Sequence, residues 1–161
     1  FFDAVETGVK ESMEVGILAG FPVMNVEVTL TGGSFHEEDS TDLAYKIAAA
    51  MAFKKAFRDA KPILLEPIMK IEILVQDEYL GEVIGDFNAR EGKVTRMDVK
   101  NNLHIIDGLA PLSNMFGYAT AIRTLSQGRA NYSMEFQDYV EMPEKKMQDV
   151  LSNQLGIYTF N

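Results

Sequence analysis

The stretch KIEILVQDEYLGEVIGDFNAREGK, Lys70–Lys93, decides the fold. Ile71, Ile73 and Val75 alternate with polar neighbours such as Lys70 and Glu72, a period of two that marks a strand with one buried face. The period then changes. From Glu78 to Arg90, Leu80, Val83, Ile84 and Phe87 recur at helical spacing, and Gly92 just beyond is placed for a left-handed C-cap. Downstream, a short strand over 94–99 is predicted to turn at Asn101 and Asn102 into a second over 103–109, where Pro111 ends the pairing. A second helix is predicted from Ser113 to Gln127 with Phe116, Ala119, Ile122 and Leu125 inward and Gly128 as its cap. Tyr132, Met134 and Phe136 then alternate with Ser133, Glu135 and Gln137 in a final strand.

This half contains an internal echo. Leu80-Gly81 and Gly92-Lys93 recur, shifted by 36 residues, as Phe116-Gly117 and Gly128-Arg129. One strand-and-helix unit used twice is the symmetry of the ferredoxin-like βαββαβ sandwich, an α+β fold with both helices on one face of a four-stranded antiparallel sheet. Gly81 and Gly85 form a G-x-x-x-G that is read as close packing of helix on sheet.

Upstream, Ala4, Val5, Val9 and Met13 share one face of an amphipathic helix over 3–15, and Gly16 ends it. Val26, Val28 and Leu30 alternate with Asn25, Glu27 and Thr29, which predicts a strand within 23–30, closed by Gly32 and Gly33. After a polar loop, Asp39 or Ser40 is a natural N-cap for a long helix to about Ala60. Leu43, Ile47 and Met51 form its apolar stripe; Lys46, Lys54, Lys55 and Arg58 take the outer face. Pro143 opens a last short helix with Met147, Val150 and Leu151 on one face. The expected units are therefore 1–62, 63–140, and a C-terminal helix and tail over 141–161.

Composition narrows the class. With 161 residues, 47% hydrophobic and 24% charged, the chain is long enough for one ordinary domain or two small ones and too apolar for disorder. No apolar run approaches the roughly 20 residues of a membrane span, and the start lacks a basic leader, so a cytoplasmic protein is expected. The absence of cysteine excludes disulfides and thiolate chemistry. The net charge of −9 weighs against a phosphate-backbone partner. Residues 1–62 carry 6 basic and 10 acidic groups, 63–140 carry 7 and 11, and the tail 2 and 3, so no part is basic as a whole. RNA contact would need local clusters, with Arg90, Lys93, Arg96, Lys100, Arg123 and Arg129 as the candidates.

Catalytic chemistry is not recognisable. There is no G-x-x-x-x-G-K-[ST] loop, no G-x-G-x-x-G, and neither His36 nor His104 has metal-ligand spacing. Ser34-Phe35-His36-Glu37-Glu38-Asp39 is the loop of most interest. A metal or acid/base site is one reading of its carboxylates; the favoured one is that they answer the positive end of the helix that follows. Capping leaves Phe35 and His36 unexplained, and a Gly-Gly turn before them fits a loop that projects planar side chains.

Those motifs resemble a known family. Ala19-Gly20-Phe21-Pro22-Val23, Gly33-Ser34-Phe35-His36 with Asp39-Ser40, and Leu43-Ala44-Tyr45-Lys46-Ile47-Ala48-Ala49 are similar to the later part of domain IV of elongation factor G. Leu65-Glu66-Pro67-Ile68-Met69-Lys70, Tyr79-Leu80-Gly81-Glu82-Val83-Ile84-Gly85-Asp86, Met115-Phe116-Gly117-Tyr118-Ala119-Thr120 and Gln127-Gly128-Arg129 resemble its domain V. The resemblance runs from Val5 to Pro143. It implies a ferredoxin-like domain V after the end of a ribosomal-protein-like βαβ domain IV, in a C-terminal piece of a translocating GTPase.

The same resemblance implies a ribosome-binding role without a catalytic site of its own, GTP being the cofactor of a domain this sequence lacks. Domain IV would enter the small-subunit decoding region as transfer RNA and messenger move, with Ser34, Phe35, His36 and Glu37 at its tip. Domain V would lie near the large-subunit stalk base and the sarcin-ricin loop, with Arg90, Lys93, Arg123 and Arg129 as RNA contacts. No metal is implied, and the family's opening strands of domain IV are missing, so self-association through the first half is expected. Glu91 stands where the family commonly has arginine, and Asn114 and Ala121 also depart from its pattern. A recycling or protection paralogue therefore stays open, as do a free-standing ferredoxin-like interaction domain and a small acyl-phosphate hydrolase using Asn88 and Arg90.

Overall fold

The structure, a computed structural model, describes residues 1–158 and the side chains of 1–153. The tail expected at 159–161 lies outside the described residues. The chain divides into two compact units: Leu64–Met142, and Phe1–Ile63 together with the segment from Pro143.

The unit 64–142 runs β1 (Leu65–Gln76), a 3-10 turn (Asp77–Tyr79), α3 (Leu80–Ala89), β2 (Lys93–Lys100), β3 (Leu103–Pro111), a second 3-10 turn (Leu112–Asn114), α4 (Tyr118–Leu125) and β4 (Asn131–Glu141). The strands form one antiparallel sheet in the order β2-β3-β1-β4, which is the ferredoxin-like arrangement. The period-two reading of β1 holds: Ile71, Ile73 and Val75 are buried, and they share a core with Val83, Phe87, Ile106, Tyr118 and Ile122. Registry carries that face outward, because Ile73 opposes Ile106 and Tyr132, and Ile71 opposes Gly108 and Met134.

Several local expectations change. Gly92 is not the left-handed residue after α3; Glu91 is, at φ 60°. Gly92 is required for space, since a Cβ there would lie 2.6 Å from the Phe87 ring, and one on Gly108 would lie 2.7 Å from it. The glycines that admit close packing are thus Gly92 and Gly108. Gly81 and Gly85 face open space with nothing within 4 Å of an added Cβ. The inward face of the second helix is likewise Met115, Tyr118 and Ile122, while Phe116 is 75% exposed and Ala119 is exposed too. Gly117, left-handed at φ 77°, redirects the chain between the 3-10 turn and α4 and so resets the helical register at Tyr118.

In the other unit, α1 (Phe2–Val15) and α2 (Asp42–Asp59) pack together, and α5 (Glu144–Tyr158) follows Pro143. The N-cap of α2 is Thr41, neither Asp39 nor Ser40: its hydroxyl accepts from the Ala44 N–H at 3.1 Å. The strand expected within 23–30 does not form a ladder with any described residue, and Asn25 adopts φ 57°, which breaks the alternation. Val26, Val28 and Leu30 are consequently exposed. Leu43, Ile47 and Met51 are exposed as well, at 65%, 52% and 67%, and Ala49 and Phe53 are the buried positions of α2. An apolar stripe becomes core only where a neighbour covers it, and among the described residues α1 covers the Ala49 and Phe53 side.

Candidate nucleic-acid interface

Ser34, Phe35, His36 and Glu37 form an exposed loop whose backbone is fastened from below. The His36 N–H donates to Ser40 Oγ at 2.9 Å, and the His36 carbonyl accepts from the N–H groups of Ser40 at 2.9 Å and Asp39 at 3.2 Å. Tyr45, in the first turns of α2, donates its hydroxyl to the Ser34 carbonyl at 2.7 Å. The Phe1 ring stacks on Tyr45 with centroids 4.4 Å apart and lies 6.1 Å from the Phe35 ring. Phe35 remains 62% exposed. An open groove of about 790 Å³ runs beside the loop, lined in part by Phe2, Leu30, Phe35 and Ala48. Among the described residues no three His, Asp or Glu side chains converge on a metal-sized position, so Glu37, Glu38 and Asp39 do not form a cage with His36.

The four cations of the other unit do not make one patch. Each helix returns antiparallel to the strand before it, so α3 and α4 run opposite ways, and contacts at both ends demonstrate it. The end of α3 meets the start of α4 where Arg90 Nη1 donates to the carbonyls of Asn114 at 2.9 Å and Phe116 at 3.2 Å. The start of α3 meets the end of α4 where Arg129 pairs with Glu78 at 3.5 Å. Arg90 and Lys93 therefore lie at one end of the helix layer, and Arg123 and Arg129 at the other, separated by the ten residues of α3, about 15 Å.

Arg90 is a staple within the fold. Its Nε also donates to Asp86 Oδ2 at 2.9 Å, and the guanidinium lies 5.2 Å from the centroid of the Tyr118 ring. A guanidinium engaged this way is not offered to an acyl phosphate, and Asn88 is exposed on α3 beyond these contacts. Lys93 and Arg123 are exposed. The exposed Arg129–Glu78 pair is weak, worth under about 1 kcal/mol, so the Arg129 side chain can exchange partners at little cost.

Two buried polar groups accompany this frame. His104 Nε2 sits 2.8 Å from Asp77 Oδ1, while its Nδ1 and the Tyr118 hydroxyl are buried without a hydrogen-bond partner. Burial, then the nearby Asp86 charge, pushes the Tyr118 phenol well above the ordinary range of about 10, against the lowering effect of Arg90. Because the folded-state value is raised, the stability tied to this proton is complete below about pH 10 and is lost as the unfolded chain ionises above it. Tyr118→Phe should be neutral or stabilising by up to about 1 kcal/mol at pH 7, since no bond is broken, and should lose less stability at about pH 11 than the parent chain. Denaturant midpoints at the two pH values check both parts.

Sequence reasoning missed Tyr45. An aromatic beside an apolar stripe looks like core, and nothing local marks a bond reaching 11 residues back.

Comparison with known proteins gives this arrangement a lineage. Residues 63–150 match the model of the elongation factor G C-terminus, and residues 1–61 match that of elongation factor G domain IV. Elongation factor G of Thermotoga maritima is 50% identical and that of Fervidobacterium nodosum 47%, each over 94% of this chain and 22% of the relative. Elongation factor G 2 of Syntrophomonas wolfei is 46% identical over 98% of the chain and 23% of the relative. A crystal structure of a protein from Thermus thermophilus superposes with a TM-score of 0.86 at 38% identity, over 96% of this chain and 24% of that one. The chain belongs to the elongation factor G family. It spans just over a fifth of the length of the curated relatives it matches. No described helix is long and apolar enough to cross a membrane.

Proposed function

We propose that this chain is the ribosome-binding module of a translational GTPase that moves transfer RNA and messenger, with the nucleotide chemistry carried elsewhere in the factor. The observation that carries the reading is an exposed loop, Ser34–Glu38, on a fastened base. Phe35 and His36 offer a stacking face and ring nitrogens to unstacked RNA, while Glu37 and Glu38 repel backbone phosphate and limit non-specific adhesion. Contact by shape and stacking also reconciles a net charge of −9 with an RNA partner. In this reading the loop enters the small-subunit decoding region, and the unit 64–142 works near the stalk base and sarcin-ricin loop through Lys93 and, at its other end, Arg123 and Arg129. The uncovered apolar surface of the first unit also supports self-association in the isolated chain.

His36→Ala in a full-length factor carrying this chain should slow transfer RNA movement roughly tenfold or more, since a stacked base is worth about 1–3 kcal/mol. GTP hydrolysis should be nearly unchanged, and the stability of the chain should shift by no more than about 0.5 kcal/mol. Rapid-mixing kinetics with phosphate release recorded in parallel provides the check; unchanged movement removes His36 from the interface.

A further inference from the structure

Among the described residues, the ties that hold the loop at 34–38 gather at one side chain of α2. Both strands of the loop converge on the Tyr45 hydroxyl: it donates to the Ser34 carbonyl at 2.7 Å and stands 3.4 Å from Ser40 Oγ, the atom that accepts the His36 N–H at 2.9 Å. The His36 carbonyl is held in turn by the N–H groups of Asp39 and Ser40. His36 is thus bound at both backbone polar groups while its side chain is exposed, and the two ties that run through Ser40 lead on to the same phenolic oxygen. The Phe1 ring, stacked on Tyr45 at 4.4 Å, fixes the plane of the phenol. Tyr45 itself sits on α2, just beyond the Thr41 cap bond to Ala44, and its N–H donates to the Thr41 carbonyl at 3.0 Å.

We propose that Tyr45 is a positioning residue for this loop: its hydroxyl, rather than the packing of its ring, sets the direction in which Phe35 and His36 are presented. The functional consequence rests on the reading of the loop as an RNA contact; the clamp itself does not. Phenylalanine at this position would keep the ring, the stack with Phe1 and the helix, and would lose only the bond to Ser34 and the contact with Ser40. The loop would then have only its internal bonds, which a chain with Gly32 and Gly33 at its root does not keep in one conformation.

Amide relaxation of the whole chain tests the clamp. In Tyr45→Phe the order parameters of residues 34–38 should fall from about 0.85 toward 0.6 or below, with Ala49 and Phe53 in α2 unchanged. Ser40→Ala should loosen the loop similarly, and Ser40→Thr, which keeps a hydroxyl, should restore it. Unchanged order in Tyr45→Phe overturns the clamp. In a full-length factor Tyr45→Phe should slow transfer RNA movement, and Tyr45→Phe with His36→Ala should be no slower than His36→Ala alone, because the two act in series. Additive slowing overturns the positioning role. A loosened loop in Tyr45→Phe beside normal movement in His36→Ala upholds the clamp and overturns the RNA reading instead.

Discussion

Replacing Phe87 with alanine is expected to cost the unit 64–142 about 3–5 kcal/mol, enough to remove a large fraction of the stability of a small domain. The ring is 1% exposed and lies in a slot made by the absence of side chains at Gly92 and Gly108, with Val83 and Ile106 in the same core. Glycine backbone cannot move inward to fill the space a lost ring leaves, so the cavity persists and the penalty sits at the upper end of the range. Denaturant unfolding followed through signals of 64–142 measures it. A loss below about 1 kcal/mol would mean that the slot collapses and that the two glycines are not there for the ring.

Gly8→Ala is expected to have the next largest effect, in the other unit. Alanine is worth about 1 kcal/mol more than glycine inside a helix, so on propensity alone α1 should gain. The added Cβ would meet the Lys46 carbonyl oxygen, and lie 3.1 Å from its carbonyl carbon and 3.2 Å from its Cα. These are backbone atoms of α2 and cannot rotate away. The helices must part, uncovering Ser12, Ala49 and Phe53, and overpacking of this kind costs about 3 kcal/mol. The clash therefore outweighs the propensity, and thermal unfolding followed by circular dichroism should show a net loss. A net gain would show that the two helices slide apart freely.

Sequence alone reached the architecture where local chemistry and burial agree. Ile71, Ile73 and Val75 declare a buried strand face, and the repeat from Leu80-Gly81 to Phe116-Gly117 conveys the two-fold plan even though the glycines differ, Gly81 being regular helix and Gly117 left-handed. It failed where the answer depends on what lies across space. The stripe Leu43, Ile47, Met51 is written like a core face, yet periodicity does not reveal whether anything covers it. Arg90 lies close to Lys93 in sequence, and Arg123 to Arg129, but how the two groups stand to one another is not written there; the opposite directions of α3 and α4 place them at opposite ends of the helix layer. The exposed loop at 34–38 was legible from the Gly-Gly turn before Phe35 and His36, and the Tyr45 bond to Ser34 was not. Glu91 and Asn114, which the sequence reading set apart separately, touch: Asn114 Nδ2 donates to Glu91 Oε2 at 3.2 Å and to the Arg90 carbonyl at 3.0 Å. That contact lies at the same joint that Arg90 staples.

The register of β1 against β4 also governs how the unit 64–142 bears load. Leu65 opposes Glu141, and the Met142 N–H donates to the Leu64 carbonyl at 2.8 Å, so the polypeptide enters and leaves this unit at one point. Tension applied through Ile63 and Pro143 would act across the ends of an antiparallel pair and peel its rungs one after another, each worth only about 1 kcal/mol net. A pull along the strands would have to break many rungs together. The neck is the weak direction, and a molecule that transmits force through it would fray from Leu65 and Glu141 inward while the core around Phe87 stays closed.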